Sequence, residues 1–142
     1  MAKQLTDKQR IDIVRYRIQN AKDTLAEIAI HRENGFYNTA VNRMYYACYY
    51  SVCALLIANG IETKTHEGVR QKLGQHFVIT GKLSPELGRF YSRIFTKRST
   101  GDYDDFISHD LDTVDNLYPK AQLFVSTIEQ MVKEWLLNQE SL

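Results

Sequence analysis

Hydrophobic positions recur at helical spacing along most of the chain, and no run alternates as a half-buried strand would. Ile11, Val14, Ile18, Ala21, Leu25 and Ile28 follow one another at spacings of three and four, which predicts one long amphipathic helix. Thr6 or Asp7 can cap its start, and Asn34-Gly35 supplies its stop, since glycine readily takes the left-handed conformation. The next stretch, residues 40–59, reads AVNRMYYACYYSVCALLIAN and carries no charge after Arg43 until Glu62. Val41, Met44, Tyr45, Cys48, Val52, Leu55 and Leu56 fall on one side of a helix, with Arg43, Tyr46, Tyr50, Cys53 and Ile57 roughly opposite. A helix apolar on both sides is enclosed by neighbours, which makes this the expected central helix. Its tyrosines, cysteines and Ser51 make it a poor membrane span.

Asn59-Gly60 ends the central helix, and Thr65 can cap a third one over about 66–79. Val69, Leu73 and Phe77 give that helix a weaker apolar side, and Gly68 and Gly74 suggest close approach to the central helix. Ser84-Pro85-Glu86 is a helix start: a capping serine, a proline in the first turn and an early acid. Leu87, Phe90, Tyr91, Ile94 and Phe95 form its buried stripe, while Arg89, Arg93 and Lys97 form a basic ridge. Continuing the stripe turns Arg98 inward if the helix persists that far. Residues 98–110, RSTGDYDDFISHD, are the least helical segment, and Leu111 to Trp135 marks a last helix with Pro119 near its beginning or at a kink. Residues 139–142 are expected to fray. The expected fold is all-α, an up-and-down antiparallel four-helix bundle with room for one extra short helix, in one domain spanning 1–142.

Composition changes this picture only locally. The chain of 142 residues is 44% hydrophobic and 25% charged, enough to bury a core without staples. Its formal net charge of +1 argues against indiscriminate nucleic-acid binding. The charge is uneven, however: residues 64–98 hold eight Lys or Arg against two Glu, and residues 99–115 hold six Asp and no Lys or Arg. Cys48 and Cys53 point about 140° apart on one helix and read as reduced thiols of a cytoplasmic protein. The N-terminal MAKQLTDKQR has no apolar signal-peptide core, so no membrane role is expected.

Candidate chemistry is sparse. The sequence has no glycine-rich phosphate loop, nucleophile elbow or HExxH motif. His31, His66, His76 and His109 lack metal-site spacing, and Asp102, Asp104 and Asp105 lack the glycine and distal glutamate of a calcium loop. Neither a metal nor a cofactor is expected. Two polar clusters remain: Arg43 with Tyr46 and Tyr50, and Arg98 with Asp102 and Tyr103. Each could hold a phosphate, because guanidinium forks match phosphate oxygens, or could lock two helices together. In the second cluster Gly101 would let the chain fold back, bringing Asp102 and Tyr103 to Arg98 with Arg43 nearby.

Several segments together resemble the HEPN domain (higher eukaryotes and prokaryotes nucleotide-binding), in its branch of small stand-alone prokaryotic proteins. They are AVNRMYYACYY at 40–50, Leu55-Leu56, KTHEGV at 64–69, FVITGKLS at 77–84 and RSTGDY at 98–103. The resemblance implies a helical bundle, a homodimer, and pairing with a small nucleotidyltransferase in a toxin–antitoxin system. It makes Tyr103 a candidate acceptor for modification by that partner. Many HEPN proteins are metal-independent ribonucleases with an arginine, four to six residues, then a histidine. Here Arg98 is followed by Asp102-Tyr103, and His109 lies too far on; Arg70 and His76 have the spacing but sit on the third helix. The expected function is therefore a HEPN module that acts with a nucleotidyltransferase and binds RNA or nucleotide phosphate near Arg98. The alternatives are a metal-independent ribonuclease toxin and a non-catalytic dimerisation scaffold.

Overall fold

In a computed structural model of the chain, the backbone is described for residues 4–103 and 108–140, and side chains for 4–98 and 108–139. The elements in order are α1 (Asp7–Ala26), α2 (Ile28–Glu33), α3 (Tyr37–Ala58), α4 (His66–Leu73), a π-helical turn (Gly74–Val78), α5 (Pro85–Tyr103) and α6 (Leu111–Glu140). No strand occurs among the described residues, and the long helices α1, α3, α5 and α6 form an all-α bundle with the short α4 beside them.

Helix α3 organises the packing, touching α1, α5 and α6 most extensively and α2 and α4 as well. All seven residues of its expected apolar side are buried, and Ala40, Ala47, Ser51, Ala54 and Ala58 are buried with them. Small residues at those positions let neighbouring backbones come close. The opposite side, with Arg43, Tyr46, Tyr50, Cys53 and Ile57, is half-buried rather than exposed. Ser51 satisfies its buried hydroxyl within the helix by donating to the Cys48 carbonyl at 2.6 Å. The core continues through Val14, Ala21 and Ile28, Tyr91 and Ile94 of α5, and Leu117, Phe124, Ile128 and Val132 of α6. Tyr91 and Phe124 stack at 5.5 Å, joining α5 to α6.

The helix starts follow their capping residues. Thr6 forms a reciprocal capping box with Gln9, Thr65 accepts from the Gly68 amide at 2.8 Å, and Ser84 accepts from the Leu87 amide at 3.2 Å. Gly35 and Gly60 have φ of 73° and 70°, so each ends its helix in the region glycine favours.

Five expectations need correction. The first helix does not run unbroken to Asn34: it breaks at Glu27, whose amide turns back to the Thr24 carbonyl, and resumes as α2. The apolar stripe hides this break, because Leu25 and Ile28 still face the core across it. The third helix is α-helical only to Leu73 and then widens into the π-turn. Gly68 and Gly74 do not bring it close to α3; a methyl at Gly74 would meet nothing within 4 Å, and one at Gly68 would meet only Thr65 and Thr63. Helix α5 continues to Tyr103, so residues 98–103 are helical and the chain does not fold back at Gly101. Finally, Pro119 lies inside α6, in its third turn, and the helix includes residues 139 and 140, where fraying is expected; residues 141–142 of that expectation lie outside the described residues. The fixed φ of proline is compatible with a helix, but the amide donor that would reach residue 115 is lost and the ring crowds that carbonyl. Bidentate bonds from Arg32 to the Asp115 carboxylate, 2.6 and 3.0 Å, tie α2 to α6 at this level.

Phe124→Ala removes a ring buried between α5 and α6. The expected loss is about 3–5 kcal/mol, read as a lower urea midpoint with an unchanged slope.

Candidate functional site

The polar end of the bundle is assembled from three helices that their apolar stripes bring together. The middle of α3 supplies Tyr45, Tyr46 and Tyr49, the start of α4 supplies His66, and the later turns of α5 supply Phe95 and Arg98. The Arg98 guanidinium carbon stands 4.8 Å from the centre of the Tyr45 ring, 5.9 Å from Phe95 and 6.0 Å from Tyr46. The aromatic faces are electron-rich and stabilise the partly desolvated cation, by about 2 kcal/mol in such settings. Arg98 is thus turned inward, as the stripe of α5 requires, and sits half-buried.

Tyr46 is shared by two arginines, with Arg43 5.7 Å from its centre on the other approach. Arg43 has a further engagement. Its Nε donates to Glu27 at 2.7 Å and its Nη2 donates to Thr24 at 3.4 Å, so it ties α3 to the break between α1 and α2. Burial opposes the Glu27 charge, but the bond and charge of Arg43 outweigh it and hold that carboxyl below its ordinary pKa. Of the two expected clusters, the Arg43 group has the geometry of a helix lock, while Arg98 rests on rings.

Asp102 and Tyr103 have side chains outside the described residues; their backbone continues α5. On the ridge, Arg89 and Arg93 are exposed and Lys97 is half-buried. His109 bonds to the Lys97 carbonyl at 3.2 Å, and its amide donates to Asn38 at 2.7 Å, holding the start of the last segment against α5 and α3. Arg70 pairs with Glu67 and lies 5.6 Å from the Phe95 ring. Its spacing to His76 therefore reflects no shared site: Arg70 is engaged with α4 and α5, and His76 lies in the π-turn.

The residue that spacing along the chain did not single out is His66. It stacks on Tyr49 at 4.3 Å with the planes 15° apart, and its Nδ1 is hydrogen-bonded to the Tyr45 hydroxyl at 2.7 Å. Burial, and then the Arg98 charge, push its pKa below the usual histidine range. Burial likewise raises the Tyr45 phenol and pushes that of Tyr49 up to about 12, so both stay protonated at neutral pH. One signal was present in the sequence: His66 follows the capping Thr65 in the KTHEGV segment. Among the described residues no three His, Cys, Asp or Glu side chains converge as a metal site, and no helix is long and apolar enough to cross a membrane.

The sign of the His66 effect on stability follows from its depressed pKa. An unfolded chain binds this proton near 6.5 and the folded one only at lower pH, so acidification favours unfolding. This contribution is fully present above about pH 6.5 and is lost as the pH falls through the folded pKa. NMR titration is expected to place the His66 transition below that of a free histidine, and Arg98→Ala to move it upward. His66→Asn should flatten the corresponding part of the stability profile.

A family profile described as HEPN domain matches residues 14–131. A UPF0332 protein of Thermotoga maritima is 35% identical over 130 residues, covering 92% of this chain and 97% of the relative. Two Methanocaldococcus jannaschii proteins, each carrying the name "Putative toxin", are 31% identical over 134 residues and 30% identical over 125 residues. The first alignment covers 94% of this chain and 99% of the relative, and the second covers 87% and 85%. The matched span includes α3, α4, α5 and the whole Arg98 surround, and with the all-helical bundle it shows that the chain belongs to the HEPN family.

Proposed function

We propose that this HEPN chain is the toxin-type member of a two-protein system, acting with a small nucleotidyltransferase and holding a phosphate of RNA or of a nucleotide at Arg98. The observation that carries the reading is the guanidinium held 4.8 Å over the Tyr45 ring. A guanidinium lying on an aromatic face keeps its N–H donors at the rim, where they can meet the oxygens of an anion. The exposed Arg89 and Arg93 extend the positive field along α5, while the charge of Arg43 on the shared Tyr46 ring is balanced by Glu27. The names of the two Methanocaldococcus relatives support the toxin assignment. In this reading two copies of the chain pair, and Tyr103 is the residue that the nucleotidyltransferase modifies.

His66 favours a second reading, metal-independent RNA cleavage. Such a reaction needs a base for the 2′-hydroxyl and a cation for the charge that develops on phosphorus-bound oxygen. A neutral imidazole beside an arginine supplies both groups, from α4 and α5 rather than from one short motif.

One set of measurements separates these readings: affinity for a short single-stranded RNA, its cleavage, and melting, for the full chain and two variants. Arg98→Ala is expected to weaken binding about ten- to a hundredfold, the loss of one charge-assisted contact worth about 1.5–3 kcal/mol. Its melting temperature should fall by about 4–8 °C, the shift that losing cation–π contacts worth about 2 kcal/mol implies. Lost stability with RNA affinity kept would make Arg98 a helix lock, and no change in either would leave a scaffold. His66→Gln should abolish cleavage and keep binding if the second reading holds; a parent that binds RNA without cutting it rules that reading out.

A further inference from the structure

A second charged feature lies away from Arg98, in a cleft of about 580 Å³ between the start of the chain, α1 and the loop that follows α3. Three cations line it: Arg10 and Arg17 from α1, and Lys64 from the loop. The acid among its lining residues is Glu62, and none of the three cations forms an ion pair with a carboxylate of the described residues. Arg10 has a structural role, since its Nη1 donates to the Ile57 carbonyl at 2.5 Å and so caps the C-terminal end of α3. Arg17 has no comparable engagement. Its Nε is buried and has no hydrogen-bond partner among the described residues, although its charge reaches Tyr49 and Cys53 on the wall.

The buried Nε is closed to solvent, but a guanidinium that lines a cleft with no carboxylate paired to it can take an acceptor that arrives from solution. The rest of the lining describes that acceptor. Two guanidinium groups and an ammonium facing one acid suit an anion of more than one charge, and the guanidinium fork fits the oxygens of a phosphate. The Tyr49 ring with Leu56, Ile57 and Ile61 offers apolar surface for an attached organic body. We infer that this cleft is a binding site for an organic phosphate with a flat apolar body, its phosphate held by Arg17, Arg10 and Lys64. The site does not depend on the reading of Arg98, which does not line it.

The test uses the full chain labelled with nitrogen-15 and three probes: phenyl phosphate, inorganic phosphate and phenol. Phenyl phosphate is expected to shift the Arg17 Nε–H resonance and the Lys64 amide saturably. It should bind at least tenfold more tightly than phenol and more tightly than inorganic phosphate. Arg17→Met should weaken phenyl phosphate at least tenfold. It should also melt at or above the parent temperature, because it removes an unsatisfied buried nitrogen and keeps the apolar stem. The inference is overturned if phenyl phosphate leaves the Arg17 resonance unmoved, if phenol binds as tightly, or if Arg17→Met binds like the parent. A variant that melts well below the parent overturns it too, since Arg17 would then be a structural residue.

Discussion

The structure depends on enclosing a helix that is not purely apolar. Helix α3 buries residues around most of its circumference, and among them are the Tyr45 phenol and a serine beside an alanine-lined seam. Every polar atom taken inside with it needs a partner, because an unpaired one costs about 1–3 kcal/mol. The surrounding elements are placed by that need as much as by apolar contact. Helix α4 brings His66 to the Tyr45 hydroxyl, the break at Glu27 brings a carboxylate to Arg43, and Arg10 reaches the end of α3 at Ile57. The same requirement gathers charge and aromatic rings at the two places where chemistry is most plausible, around Arg98 and in the Arg17 cleft.

The bundle was legible because its information is periodic. The stripes of α1, α5 and α6 and the charge-free run of α3 name both the helices and the buried faces, and the caps at Thr6, Thr65 and Ser84 name their starts. The departures lie where periodicity carries little information. Val69, Leu73 and Phe77 are spaced by four, and each such step drifts about 40° around an ideal α-helix. The wider π-turn takes back that drift, keeping all three buried and leaving Ile79 83% exposed. Glycine at 101 reads as a chain reversal, yet neighbours on both sides continue the helix and a single glycine costs only about 1 kcal/mol there.

The candidate site was half legible for a related reason. Arg98 lies on the continuation of a stripe, so its inward direction follows from residues on its own helix. His66 reaches the same place from another helix, and sequence spacing does not encode distances between helices. Arg17 was hidden more completely. On α1 it reads as one of several basic residues on a solvated face, and only the folded loop after α3 encloses it.

The glycines of the α4–α5 corner divide by what their absent side chains would meet. A methyl group on Gly88 would come within 2.8 Å of Val78 Cγ2, and valine, stiff at its first torsion, yields little. One on Gly74 would project into open space. Evolutionary drift is thus constrained at one position and free at the other. Lineages can exchange residue 74 while the corner keeps its shape, whereas any side chain at 88 forces the π-turn and α5 apart and must be answered by a smaller residue at 78.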